Sequence, residues 1–162
     1  MYLRTLKFTV LFILSLLSLQ NSFAIDREEA SMYASFIFSL SNGVQSANQG
    51  SEVCALGHDE IVVAMGEKNR NLINVENNPE KHTSCKMLYI ANDKSKGLRS
   101  YVEKYNHKRI VTLGVLENFN ESGGMILVQM GRRNFELSVN SKEIKEAGIK
   151  LAPLVLELVI NN

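Results

Sequence analysis

Three short apolar runs, at residues 53–56, 87–91 and 110–113, constrain this chain more than any other feature. Each has strand length rather than helix length, and each is apolar at consecutive positions, as in strands buried on both faces. Glycine closes the first and the third, at Gly57 and Gly114. Between the second and third runs, Leu98, Tyr101, Val102 and Tyr105 fall at i, i+3, i+4 and i+7, with Arg99, Glu103 and Lys104 on the other side. That spacing predicts an amphipathic helix. Strand, helix and strand in this order imply a crossover that leaves the two strands parallel.

The flanking sequence adds a helix in front and a different architecture behind. Asp26 is placed to cap a helix, with Glu29 three residues on and Ala30, Tyr33, Ala34, Ile37 and Phe38 along one face. Asn42-Gly43 ends it, and a polar loop leads to Gly50. Residues 125–130 and 133–139 read as two strands joined by Gly131-Arg132, a connection short enough only for an antiparallel hairpin. Phe135, Leu137 and Val139 alternate there with Asn134, Glu136 and Ser138, which predicts one wetted face. Two short helices should follow. Ser141 is the expected cap of the first, with Ile144 and Ala147 inward and Gly148 at its end; Pro153 opens the second, with Leu154, Val155, Leu158 and Val159 as core. The fold class is α/β, a mostly parallel sheet flanked by helices with a C-terminal antiparallel hairpin.

Residues 1–24 have the pattern of a cleavable export signal. Arg4 and Lys7 precede an apolar run over residues 8–19, too short to span a bilayer, and Ser22-Phe23-Ala24 places small residues at the cleavage positions. Cleavage after Ala24 leaves one domain, residues 25–162, and gives the protein a periplasmic location. A lipid anchor does not fit, because Ile25 rather than cysteine would follow the cut. Loss of Arg4 and Lys7 turns the net charge from +1 to −1, with no basic block to suggest nucleic acid.

The two cysteines admit three readings. In an oxidising compartment Cys54 and Cys85, each at the start of an expected strand, most simply form one disulfide. A metal site is the sharper alternative, since Cys54, His58, His82 and Cys85 have spacings that zinc accepts. Buried free thiols are the third. His58-Asp59-Glu60 offers acid/base groups on paper, but directly after a strand-closing glycine it fits a solvated turn and helix start better. Gly123-Gly124 reads as a turn before the hairpin rather than an anion cradle. No serine or cysteine sits in a nucleophile elbow.

Several of these fragments, in order, resemble the YfiR family. Val53-Cys54-Ala55-Leu56-Gly57 is similar to its first strand, Ser84-Cys85-Lys86-Met87-Leu88-Tyr89-Ile90 to its cysteine-led strand, and Val111-Thr112-Leu113-Gly114 to the next. Gly123-Gly124-Met125-Ile126 matches its glycine pair, and Val139-Asn140, Ala147-Gly148-Ile149 and Leu154-Val155-Leu156 its ending. The chain departs from the family at its Trp-Pro, since it has no tryptophan and Ser39-Leu40-Ser41-Asn42-Gly43 stands in that region. Ser138 occupies a position that is acidic in the family, and Asn120 and Leu127 take the places of a second cysteine pair found in some relatives.

The resemblance implies a regulator rather than an enzyme, and no cofactor. The family's namesake holds an inner-membrane diguanylate cyclase inactive through its periplasmic sensor part, and an outer-membrane lipoprotein relieves it. The partners implied are therefore those two, with a homodimer compatible. Ile126, Ser138 and Ile144 match positions that form the repressing face, which requires Ile126 and Ile144 to share an exposed apolar patch with Ser138 near its rim; the other reading is that both isoleucines are core residues. A periplasmic small-ligand-binding sensory module is the alternative, and a hydrolytic enzyme using His58 and Asp59 is the least favoured.

Overall fold

The computed structural model describes residues 25–46 and 48–160, so the export signal expected over residues 1–24 lies outside the described residues. The first helix, α1 (Arg27–Asn42), starts where expected because the Asp26 carboxylate accepts from Glu29 N–H at 2.8 Å. It buries Ala30, Tyr33, Ala34, Ile37 and Leu40 along one stripe. Two residues of strand follow immediately, β1 (Val44–Gln45).

The main sheet has six strands: β2 (Glu52–Leu56), β3 (Ile73–Asn74), β4 (Cys85–Ile90), β5 (Val111–Gly114), β6 (Ile126–Met130) and β7 (Phe135–Val139). Their spatial order is β3-β2-β4-β5-β6-β7, parallel from β3 to β6 and antiparallel at β7. In register, Val53 lies beside Met87, Met87 beside Val111 and Leu113 beside Ile126. Helix α2 (Glu60–Lys68) joins α1 on one face, where Ile61 and Met65 belong to the same buried cluster as Ala34 and Ile37. Helix α3 (Leu98–Asn106) covers the other face, with Leu98, Val102 and Tyr105 buried against Leu88, Ile90 and Phe119. Consecutive buried residues along β2, β4 and β5 follow from this double cover.

The chain closes with α4 (Ser141–Glu146), β8 (Lys150–Leu151) and α5 (Pro153–Leu156). β8 returns to pair antiparallel with β1, Val44 beside Leu151. Three expectations need correction here. The cap of α4 is Asn140, whose side chain accepts from Glu143 N–H at 3.3 Å, and Ser141 is the first helical residue. The hairpin turn spans four residues, closed by Gly131 N–H donating to Asn134 O at 2.9 Å. Leu154 is not core: it is 73% exposed, because a one-turn helix can aim only one apolar side chain inward and Val155 takes that place. The sequence also concealed β1, β3 and β8, which are two residues each.

Candidate functional site

In an open parallel sheet the place for a ligand is the crevice beyond the carboxyl ends of the strands where the strand order reverses. Here that point lies between β2 and β4, since the chain leaves β2 for β3 on one side and returns to β4 on the other. His58, Asp59 and Glu60 sit there. Asp59 is the N-cap of α2, its Oδ1 accepting from Val62 N–H at 2.9 Å. Its Oδ2 accepts from the Tyr89 hydroxyl at 2.8 Å and from Asn92 N–H at 2.9 Å. Three donors on one carboxylate commit both of its oxygens to holding α2, β4 and the turn at Asn92 together. Burial pushes the Tyr89 hydroxyl well above its ordinary range, and the neighbouring Asp59 charge adds to the effect.

The crevice itself is filled by the chain. Asp93 accepts from His58 N–H at 3.1 Å, and Lys94 bridges Asp93 and Glu76 at 3.2 and 2.6 Å. Gly57 has φ +92, and a Cβ there would meet Asp93 and Lys94, so only glycine admits this plug. His58 and Asp59 do not form an acid/base pair here: the His58 ring is exposed and both Asp59 oxygens already accept from other groups.

The cysteines are bonded to each other, Cys54 to Cys85, with Cα atoms 5.7 Å apart and both residues fully buried. The alternative metal set of Cys54, His58, His82 and Cys85 is thereby overturned, because both sulfurs are consumed. His82 is engaged elsewhere, its Nδ1 2.7 Å from Pro79 O and its Nε2 2.8 Å from Lys108 Nζ. The free-thiol reading falls on the same bond.

The three hairpin-region residues are close in the chain order of the fold but not equally exposed. Ile126 is fully buried, between Leu113 of β5 and Val139 of β7. It cannot share an exposed apolar patch, because the α1 side of the sheet covers it along with Val128 and Leu137. Ile144 is partly buried, packed on the same cluster from α4. Ser138 lies on the opposite side of β7, where its Oγ accepts from Asn120 Nδ2 at 3.0 Å. Asn140 donates to Asn120 O at 3.3 Å, so the loop before β6 is tied to the strand carrying Ser138.

One element escaped sequence reading altogether. Asn106, at the end of α3, donates to Gly123 O at 2.8 Å and to Glu143 of α4 at 3.0 Å, and accepts from Thr112 Oγ at 2.8 Å. Thr112 in turn accepts from Met125 N–H at 3.2 Å. A single amide thus sets α4 against α3, β5 and the Gly123-Gly124 turn. Two polar cavities of about 360 and 330 Å³ flank it, sharing Glu103, Asn106 and Glu143. The only signal in the sequence was a polar Thr112 inside an otherwise apolar strand.

No curated protein matches the chain. Among solved structures it is similar to a conserved domain protein from Vibrio cholerae O1 biovar El Tor, at 11% identity and a TM-score of 0.57. The likeness covers 80% of this chain and 58% of that one, and it supports the fold alone. The family comparison goes further, because the YfiR/HmsC-like model matches residues 33–159, from α1 through the segment that follows α5. The chain therefore belongs to the YfiR/HmsC-like family.

Proposed function

We propose that residues 25–162 are released after Ala24 and act as a non-enzymatic repressor. The mature domain binds the periplasmic sensor part of an inner-membrane diguanylate cyclase and holds the enzyme inactive. Relief by an outer-membrane lipoprotein belongs to the same proposal. The observation that carries it is the family match over residues 33–159, which includes the whole hairpin and α4. Its support from chemistry is that Asp59, the best acid/base candidate, is spent on three structural donors. Asp26 capping α1 two residues past the proposed cut agrees with a folded unit that starts there.

The contact surface in this reading centres on Ser138 and α4 with Ile144, while buried Ile126 supports it from below. Titration calorimetry with the cyclase's periplasmic segment tests it. Ser138→Arg should weaken binding at least tenfold, whereas Ser138→Ala, which loses the same Asn120 hydrogen bond without adding bulk or charge, should bind nearly as well as wild type and gives the stability baseline. Full binding by a folded Ser138→Arg protein would remove this surface from the mechanism. Intact mass of periplasmic protein should begin at Ile25; a retained Met1 would refute release.

The second reading, a small-ligand sensory module, is favoured by the paired cavities around Glu103, Asn106 and Glu143. Their size is within the range of small-molecule sites. A metabolite that raises the melting temperature of wild type but not of Asn106→Ala would support it.

A further inference from the structure

β7 uses its backbone in two ways. In an antiparallel pair every second residue exchanges hydrogen bonds with its neighbour, and the residues between turn theirs outward. Gly131 N–H donates to Asn134 O and Asn140 N–H to Met125 O, both at 2.9 Å, which makes the even-numbered positions the inward-bonded ones. Phe135, Leu137 and Val139 therefore present N–H and C=O groups along the outer edge. Leu137 uses both: its N–H donates to Leu158 O and its carbonyl accepts from Ile160 N–H, each at 2.9 Å. Among the described residues, the outward groups of Phe135 and Val139 have no backbone partner. Vacant donors and acceptors on an edge are a template for another strand.

The surroundings state what fits. Phe135 stacks on Phe36 with ring centroids 4.3 Å apart, and Leu158 and Val159 pack on the same cluster, so the inner side of the edge is apolar. Arg132 and Arg133 are exposed at the hairpin tip and line a cavity of about 480 Å³ with Phe135, Glu157 and Leu158. Neither arginine takes part in an ion pair among the described residues.

We infer that the outer edge of β7 is a docking edge for an extended segment of the signalling partner, apolar on its inner side and carrying a carboxylate toward Arg132 and Arg133. Residues 157–160, Glu157 followed by Leu158, Val159 and Ile160, already have that pattern and occupy the middle of the edge as a placeholder that the incoming strand extends or displaces. Main-chain bonds then supply affinity and the flanking side chains specificity. The inference rests on the partner-binding reading above. It also gives Ile126 a part without contact, since its register partner is Val139.

The test uses the mature protein with two probes: the periplasmic segment of the cell's own membrane diguanylate cyclase, and a synthetic peptide Leu-Glu-Leu-Val-Ile copied from residues 156–160. Val139→Pro deletes one outward N–H and spares the pairing with β6, a substitution edge strands tolerate. It should weaken the cyclase segment at least tenfold, whereas Val139→Thr should not. Deuterium exchange at the Phe135 and Val139 amides should slow in the complex. Unchanged binding by a folded Val139→Pro protein, or unprotected amides in the wild-type complex, would overturn the edge. The peptide separates the two ideas. If the cyclase segment fails to bind but the peptide protects these amides in Ile160→Pro, which lacks one of the two pins, the edge stands and the partner reading falls. If neither probe protects them, the edge falls too. Protection that rises with protein concentration alone would assign the edge to a second copy and overturn the partner assignment.

Discussion

The parallel half of the sheet and the hairpin half solve the same packing problem with opposite degrees of closure. Along β2, β4 and β5 the strands are covered on both faces, the crevice between β2 and β4 is plugged by Asp93 and Lys94, and Cys54 is bonded to Cys85. From β6 onward the sheet ends in an edge, α4 and α5 are short, and Leu154 and Leu156 stand exposed. Stability should therefore concentrate in the first region and interaction in the second, as binding surfaces are generally drawn from the less stable parts of a fold.

The sharpest way to break that comparison is to open the disulfide. Replacing Cys54 and Cys85 with serine frees a loop of 31 residues' separation and should cost about 3–4 kcal/mol in urea unfolding. A loss below about 1 kcal/mol would mean that the parallel half does not depend on it. Next in size is Asp59→Ala, which removes the α2 cap and leaves the Tyr89 hydroxyl and Asn92 N–H without an acceptor. About 2–3 kcal/mol should be lost by the same measurement. Asp59→Asn, which retains an oxygen acceptor, should lose less.

The third experiment reads the crevice through pH. The Tyr89 hydroxyl is raised above its unfolded value of about 10, so its neutral form is favoured in the folded state. That contribution is complete below pH 10 and disappears as pH climbs past it, at roughly 1.4 kcal/mol per pH unit for one group. Tyr89→Phe should flatten the alkaline fall in stability, with a remainder from Tyr33 and Tyr105, which burial also raises. An unaltered alkaline profile would contradict the buried contact with Asp59. The smallest effect belongs to the hairpin half: Leu154→Ser should shift stability by no more than about 0.5 kcal/mol. A large loss there would show that α5 is as closed as the parallel half.

What the sequence disclosed follows the same divide. Residues 53–56, 87–91 and 110–113 were legible as buried strands because double cover writes itself as unbroken apolar runs. The disulfide was legible because an export-like leader sequence and two strand-leading cysteines leave few alternatives. Ile126 was left between core and surface, since an isoleucine at the start of a strand has the same appearance whether it faces α1 or solvent. β1, β3 and β8 were hidden because two residues carry no periodicity. The Asn106 network was hidden for another reason: its members come from α3, β5, the turn and α4, and only the folded chain brings them together.

The pairing of β1 with β8 joins the end of the first helix to nearly the last segment of the chain, and Gly43 O accepts from Ala152 N–H at 2.8 Å beside it. Contacts of such long sequence separation form late, because loop closure must be met before they repay it. A nascent chain that has not yet released residue 151 therefore cannot complete its fold. Under the proposed export, slow closure would be an advantage: a precursor crossing the membrane as an open thread would stay threadable, and the last segment to emerge would fasten the structure on the far side.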